Sequence, residues 1–374
     1  MRVCVFSHSY VVAANHAKLE RLAKMPGIEL SVVCPRRVRR EFGVYPVERT
    51  AHPDYRIATL RTLYSSHTYR FLYLGAGRTL SRLRPDILHI EEEPWSLAAW
   101  QAVRHCRRRP HVKAIFFTWQ NLRQRHGFPH DRIERAVHAA AAAAIAGNAE
   151  AAAILREKGF QKPVHVLPQF GVDELRYASR DERARRASLG LHAFVIGFAG
   201  RLVPEKGLDT LLEAAMRLPQ SGWSLLVVGG GPLRDEVARR FAQPPLAGRA
   251  VLVNTVPHAD MPSYLNCMDA LVLPSREAPH WKEQFGHVLI EAMACGVPVV
   301  GSTCGEIPNV IADAGLTVPE GSPEALGEAL GRLMGSEQLR RDLAERGRQR
   351  VLAHYTDARI AQATFGIYRE VLGL

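Results

Sequence analysis

Two cations and two carboxylates stand in this chain at spacings suited to holding a diphosphate and the hydroxyls around it. The segment Gly200-Arg201-Leu202-Val203-Pro204-Glu205-Lys206-Gly207 follows an apolar run ending at Ala199 and opens a helix at about Glu205. Arg201 on the loop and Lys206 in the first turn set two positive charges beside helix N-terminal amides, a cradle for a diphosphate. A solvated turn is the competing reading. Farther along, Glu283 precedes Gly286, a helix begins, and Glu291 follows eight residues after Glu283, ahead of the stop Gly296-Val297-Pro298. Carboxylates at both places can accept hydrogen bonds from sugar or ribose hydroxyls, with the Phe285 and Gly286 amides turned to a phosphate or sugar oxygen. The neighbours of Glu291, namely Leu289, Ile290, Ala292 and Met293, are apolar, which argues for a buried, employed carboxylate. The loop Gly229-Gly230-Gly231-Pro232 would let backbone approach a ligand closely, although glycine turns at strand ends are common.

These residues need strand ends and helix starts to hold them. Short apolar, β-branched runs alternate with helix-like segments throughout, the pattern of parallel strands joined by helical crossovers. In the first half the runs are Val3 to Phe6, Leu30 to Cys34, Ile57 to Leu60, Ile87 to Ile90, Val112 to Phe117, Ala142 to Ala146 and Val164 to Leu167. Helical stretches lie at Ala13 to Lys24, Tyr69 to Leu83 and Ser96 to Arg107. The second half repeats the rhythm with Val195 to Ala199, Ser224 to Val228, Val251 to Val253, Ala270 to Leu273, Val297 to Val300 and Leu316 to Val318. Each half reads as its own doubly wound α/β sheet, with the best linker at residues 171 to 192 and a boundary near residue 180. Ligands of such sheets bind beyond the carboxyl ends of the strands, where the motifs cluster. After Pro323 the chain is helical to its end, and Phe365, Tyr368 and Leu372 mark one apolar face of the last helix.

A length of 374 residues favours two domains, and 47% apolar with 23% charged residues fits a globular enzyme rather than a disordered or fibrous chain. No apolar run is long enough for a spanning helix, and the N-terminus lacks the order of a signal peptide, so neither a membrane span nor secretion is expected. The six cysteines show neither a C-x-x-C pair nor zinc-site spacing, and read as reduced, buried thiols. The net charge of +12 is uneven. Residues 1–190 hold 32 Lys+Arg against 17 Asp+Glu, or +15, leaving 17 against 20, or −3, for the rest. Such asymmetry suits an anionic partner for the first half: lipid headgroups, a phosphorylated acceptor or nucleic acid. The densest runs, Arg36 to Arg40 and Arg107 to Arg109, carry no interleaved aromatics, which disfavours nucleic acid. A merely solvated arginine-rich surface is the alternative.

The Gly-Arg-Leu-x-x-Glu-Lys-Gly segment, the Glu pair separated by seven residues, and the Glu-Ala-Met-Ala-Cys-Gly-x-Pro-Val ending together resemble the retaining glycosyltransferases of family 4, with the GT-B fold. The resemblance covers nearly the whole chain, with its motifs in the family's order. It implies two Rossmann-like domains facing a central cleft: an acceptor-side domain over 1–180, and a nucleotide-sugar-binding domain over 181–374 whose terminal helix packs back on the first. It also implies that Arg201 and Lys206, beside Gly200, hold the donor diphosphate, that Glu291 binds the ribose hydroxyls and that Glu283 contacts the donor sugar. Amides of Phe285, Gly286 and His287 would complete that site, with Gly230 close to the donor and the loop at Val256 lining the nucleobase. The first half departs from the family. Where many relatives carry a glycine pair after the first strand, this chain has Ser7-His8-Ser9-Tyr10-Val11-Val12, and where relatives often place a His it has Thr118-Trp119-Gln120-Asn121. Gln120 can bond a sugar hydroxyl but cannot take a proton near neutrality. His8, Gln120 and one carboxylate among Glu91, Glu92 and Glu93 are the acceptor-side candidates, a helix N-terminal charge cluster being the other reading of the three glutamates.

The resulting expectation is a metal-independent enzyme moving a hexosyl-type sugar from a nucleotide diphosphate sugar, UDP-linked in preference to GDP-linked, to an acceptor hydroxyl with retention of configuration. The donor is a substrate, so no cofactor and no metal are expected. There is no Asp-x-Asp motif, and fixed cations would stabilise the leaving diphosphate instead. The acceptor would be a glycan, a lipid-linked sugar or a small molecule, in cell-surface or natural-product assembly. Expected location is cytoplasmic, with a peripheral position at the inner membrane face as a variant. Two readings compete: a same-fold sugar-nucleotide epimerase, and a basic membrane-surface or nucleic-acid-binding module.

Overall fold

The computed structural model describes residues 1–40, 43–48, 54–64 and 69–374. Every apolar run named above forms a strand. In the first unit β1 (Arg2–Phe6), β2 (Glu29–Pro35), β3 (Arg56–Leu60), β4 (Ile87–Ile90), β5 (Lys113–Thr118), β6 (Ala141–Ala146) and β7 (Val164–Val166) make one sheet in the order 3-2-1-4-5-6-7. In the second, β8 (Phe194–Ala199), β9 (Trp223–Val228), β10 (Ala250–Val253), β11 (Ala270–Leu273), β12 (Val299–Ser302) and β13 (Leu316–Val318) follow the order 10-9-8-11-12-13. All neighbours pair in parallel. In both sheets the first strand in sequence lies inside, and the order reverses beside it. That reversal is the topological switch point of a Rossmann-type sheet.

Alternation along the strands builds two apolar faces on the first sheet. Cys4, Phe6, Leu88, Ile90, Ala114 and Phe116 enter one cluster, while Val3, Val5, Ile87, Ile115 and Phe117 enter the other. The period of two is why these strands read as continuous apolar runs: both faces are covered. On the second face the terminal helix Asp357–Leu372 supplies buried Ala361, Ile367 and Tyr368, with Phe365 and Leu372 packed alongside. Tyr368 also meets His89, the one polar side chain that β4 sends to that face, at 2.8 Å from Nδ1. Burial holds this imidazole neutral by lowering its pKa to about 4.

Two compact units result, residues 1–171 with 357–374, and residues 172–356. The division falls before residue 180 because the intervening segment is bonded into the second unit. Val172 N–H donates to Tyr355 O (2.9 Å), and Arg180 N–H to Asn266 Oδ1 (2.8 Å). The expected linker also contains the helix Arg183–Ser188, where Arg186 pairs with Asp269 at 3.0 Å. A second correction concerns Tyr69 to Leu83, which is helical only over Ala76–Leu83. Leu72–Tyr73 instead pairs antiparallel with Thr62–Leu63, and Gly75 at φ +82° starts the helix from a left-handed position. Arg37–Arg40, within the first basic run, is likewise a strand, paired with Gly43–Pro46. All six cysteines are buried and none is in a disulfide.

Replacing Tyr368 by Phe removes the hydrogen bond of a buried imidazole while keeping the ring. The expected loss is about 1–3 kcal/mol of stability, the range for leaving a buried polar group unsatisfied. Chemical denaturation checks it, and an unchanged midpoint would remove the His89 contact from the docking of the terminal helix.

Candidate functional site

In the second unit the switch point lies between β8 and β11. The strand β8 runs into Gly200 and Arg201, and β9 into Gly229, whose hypothetical Cβ would stand 1.9 Å from the Gly200 carbonyl oxygen. Only glycine permits the two loops to touch there. Arg201 is exposed, and the chain then makes a short 3-10 turn, Pro204–Lys206, before the α-helix Leu208–Ala215. The α-helix therefore starts three residues after Glu205, with Lys206 in the turn ahead of it. Gly207, at φ +66°, is the hinge between turn and helix, and a Cβ on it would lie 1.9 Å from Pro274 O. That contact presses the loop after β8 against the loop after β11.

Across this contact Lys206 Nζ donates to Glu283 Oε2 at 2.5 Å, and Ser275 Oγ donates to the same oxygen at 2.9 Å. Ser275 is fixed in turn, since its carbonyl accepts from Ser302 Oγ at the end of β12. Glu283 is only 7% exposed, so its charge is held by these partners rather than by bulk water. Lys206 also stands 5.2 Å from the Trp281 ring centroid. Gly286, at φ +80°, caps the helix His287–Ala294, whose first-turn amides have no partners within the helix. The Phe285 side chain is buried against Tyr355, leaving its backbone at the helix mouth.

Glu291 has its own partners. Tyr177 Oη donates to Glu291 Oε1 at 3.3 Å, and His258 Nε2 lies 3.4 Å from that oxygen. The carboxylate is 16% exposed, employed but not sealed. Val256 stands two residues before His258 in the loop after β10, and Gly230 belongs to the neighbouring loop, where Thr255 Oγ1 closes over it. The His287 pKa is lowered by burial, against the opposing pull of Glu291 and Glu283. Sequence reasoning missed Ser275, Tyr177 and His258. None lies within a motif, and only the fold brings them to the two glutamates.

The first unit uses its switch point, between β1 and β4, differently. Glu91 at the end of β4 accepts from Lys18 Nζ (2.5 Å), Tyr10 Oη (2.8 Å) and Gln169 Nε2 (3.0 Å), all buried. Both its oxygens are occupied within the unit. Glu92 accepts from the His8 backbone N–H, bonds His8 Nδ1 at 2.7 Å, and accepts from Tyr73 Oη at 3.0 Å. Glu93 accepts from Thr118 Oγ1 (2.6 Å) and the Trp119 amide (3.0 Å), yet burial pushes its pKa up to about 7. Gln120 is buried, accepting from Lys158 Nζ at 2.7 Å and lying 3.2 Å from His126 Nε2. An imidazole thus does reach this strand end. It comes from six residues farther along, stacked on Trp95 with ring centroids 3.9 Å apart.

Two parallel-sheet, Rossmann-like units in one chain, each with polar side chains gathered at its switch point, are the build of GT-B proteins. The model of the group 1 glycosyl transferases matches residues 180–350, and that of glycosyltransferase family 4 matches residues 16–173. The chain belongs to the group 1 glycosyltransferases of the GT-B fold. It is 29% identical over 217 residues to an alpha-D-kanosaminyltransferase of Streptomyces kanamyceticus, covering 56% of this chain and 54% of that protein. It is 35% identical over 201 residues to a D-inositol 3-phosphate glycosyltransferase of Jonesia denitrificans, covering 48% and 45%. The match thus spans about half the length of these curated relatives. In structure, Anabaena HepE solved with UDP aligns over 99% of this chain and 100% of its own with a TM-score of 0.76 at 17% identity, a likeness of fold.

Glu93 supplies a pH test. Its folded pKa lies above the ordinary carboxyl value, so its contribution to stability is complete below about 4.5 and is lost as pH rises through about 7. Glu93→Gln should flatten the stability-versus-pH curve across that window, as read by denaturant midpoints at several pH values. A variant with the same slope as the wild type would place the titration elsewhere.

Proposed function

We propose that this chain transfers a hexosyl-type sugar from a nucleotide diphosphate sugar to an acceptor hydroxyl with retention of configuration. The observation that carries the reading is the cluster of Lys206, Glu283 and Ser275 at the second unit's switch point, with Arg201 on the adjoining loop. UDP is the favoured nucleotide over GDP, with support from the UDP-bound structure of HepE. Glu291, with Tyr177 and His258, would take the ribose hydroxyls, the loop at Val256 the base, and Glu283 a hydroxyl of the sugar. The amides of Gly286 and His287 would meet phosphate or sugar oxygens.

As the bond between the anomeric carbon and the diphosphate oxygen breaks, its electron pair and the growing negative charge go to the diphosphate. Arg201 and Lys206 would stabilise that charge without a divalent ion or any cofactor. The acceptor oxygen forms the new bond on the vacated face, and its proton passes to the departing diphosphate oxygen. The first unit would bind the acceptor, through His8 held by Glu92, through Glu93, and through Gln120 with His126. One relative's name includes D-inositol 3-phosphate, which supports a small, hydroxyl-rich and even phosphorylated acceptor alongside a glycan or lipid-linked one. No helix among the described residues is long and apolar enough to cross a membrane, and we place the enzyme in the cytoplasm, where nucleotide sugars are at hand, or at the inner membrane face.

The separate partners of the two glutamates lead to separable defects. Glu291→Ala should weaken binding of free UDP, whereas Glu283→Ala should spare it and relax discrimination among donor sugars. Calorimetry with UDP decides, and unchanged affinity in a folded Glu291→Ala protein overturns the ribose assignment.

The mechanism is tested by initial rates. Arg201→Ala and Lys206→Ala should each lower turnover by about 3 kcal/mol, roughly a hundredfold, with a smaller effect on donor affinity, because a fixed cation gains most as the leaving group charges. Lys206→Arg should rescue only in part, since its fork has a different reach. Full activity is expected in excess EDTA. Loss with EDTA and recovery with magnesium or manganese would sink the metal-free reading, and near-normal turnover in both alanine variants would sink the cation assignment.

A further inference from the structure

The positive charge of the first half is not used up by the residues above. Part of it collects in a cavity of about 580 Å3 between the helices Ala76–Leu83 and Leu97–Arg107 of the first unit. Arg78, Arg104, Arg108 and Arg109 line this groove, and no carboxylate does. Among the described residues none of the four forms an ion pair. Solvated arginines are ordinary on a convex surface, where water spreads their charge. Here they converge on a concavity, and two are fixed in place.

Arg104 lies over the Trp100 ring at 4.6 Å from its centroid, and Arg109 Nη2 donates to Ser81 Oγ at 3.0 Å. Arg109 Nη1 lies 3.3 Å from Nδ1 of His105, a side chain that also lines the groove and is 5% exposed. An arginine only donates, so Nδ1 is the accepting nitrogen and Nε2 carries the proton. That Nε2–H is buried and has no acceptor. Burial first, then Arg109 and His111, hold this imidazole neutral, its pKa lowered to about 4. Clustered guanidinium donors and the lack of any acid call for the same complement, an anion with several oxygens.

We propose that this groove is a binding site for a ligand bearing more than one phosphate group, distinct from the residues assigned to the sugar donor. Its volume lies in the range of small-molecule pockets, roughly 300–1,000 Å3, and exceeds the needs of a single phosphate. Planar guanidiniums suit bidentate contact with phosphate oxygens, and the Trp100 ring holds one of them in that pose. A soluble polyphosphorylated molecule and an anionic lipid headgroup present the same chemistry.

The test uses the full chain with two probes: inositol hexakisphosphate by calorimetry, and sedimentation with vesicles of phosphatidylcholine containing cardiolipin against phosphatidylcholine alone. The variant is Arg104→Gln with Arg108→Gln, both exposed, so folding should survive, and thermal denaturation verifies it. A charge-matched control changes Arg132 and Arg135, on a different helix of the same unit, to Gln. The groove variant should lose roughly tenfold or more in affinity for at least one probe, the control far less, since oriented charge-assisted bonds outweigh diffuse net charge. Loss toward inositol hexakisphosphate identifies a soluble ligand, and loss confined to the cardiolipin vesicles identifies a lipid headgroup. Wild-type binding of both probes by the groove variant, or an equal loss in the control, overturns the proposal.

Discussion

A parallel sheet whose strand order reverses beside its first strand sends two successive connections to opposite faces, and the helices leave a crevice where they part. Both units of this chain are built on that constraint, with the reversal between β1 and β4 and again between β8 and β11. Lys206, Ser275 and Glu283 in the second unit and Glu91, Glu92 and Glu93 in the first sit on segments leaving those strands, whereas Glu291 lies within the helix His287–Ala294 and draws its partners from farther away. The crevice exists whatever the side chains are. What differs is how each unit fills it.

The second unit fills it with backbone and a charge pair. Glycine at positions 207 and 229 lets neighbouring loops approach to distances no Cβ would allow, which fixes Lys206 opposite Glu283. In such a pair the mutual attraction offsets the cost of desolvating each ion, and removing one partner leaves the other stranded. An arriving diphosphate would compete with Glu283 for Lys206, and the freed carboxylate could turn to a sugar hydroxyl. Ser275, anchored through Ser302, would keep that carboxylate from swinging away. On the proposed reading, the pair would be a resting arrangement whose two halves take different targets in the donor.

Much of this was legible in the sequence, for physical reasons that can be named. Strands buried on both faces are apolar at nearly every position, His89 of β4 being an exception partnered by Tyr368, so β4, β8 and β11 announce themselves in four to six residues. The helix at His287–Ala294 is marked by the left-handed Gly286 before it and Gly296 after it. Residues that act through distant contacts leave no such trace. Tyr177 reaches Glu291 across 114 positions and Gln169 reaches Glu91 across 78, and nothing local distinguishes either from any other tyrosine or glutamine. The short strand Leu72–Tyr73 hid within a helical pattern because its partner, Thr62–Leu63, is equally short. The three consecutive glutamates looked interchangeable in sequence. In the fold, Glu91 is spent on Lys18, Tyr10 and Gln169, Glu92 on His8 and Tyr73, and Glu93 on Thr118 and Trp119.

That division shows how the first unit manages without glycine in its β1 loop. Where the second unit brings backbones together, the first inserts side chains, and a fully buried Lys18–Glu91 pair ties the residues after β1 to the end of β4. Tyr10 and Gln169 both donate to the Glu91 oxygen that Lys18 does not hold, and such added hydrogen bonds help a buried ion pair to be tolerated. The same loop then has a side chain to offer at its mouth, since the Glu92 contacts orient His8 from both its backbone and its ring. A glycine at that position would admit a ligand closer to the backbone but could neither donate nor accept through a ring. The absence of glycine therefore exchanges close backbone approach for an imidazole oriented by Glu92, the group that the proposed acceptor role would use.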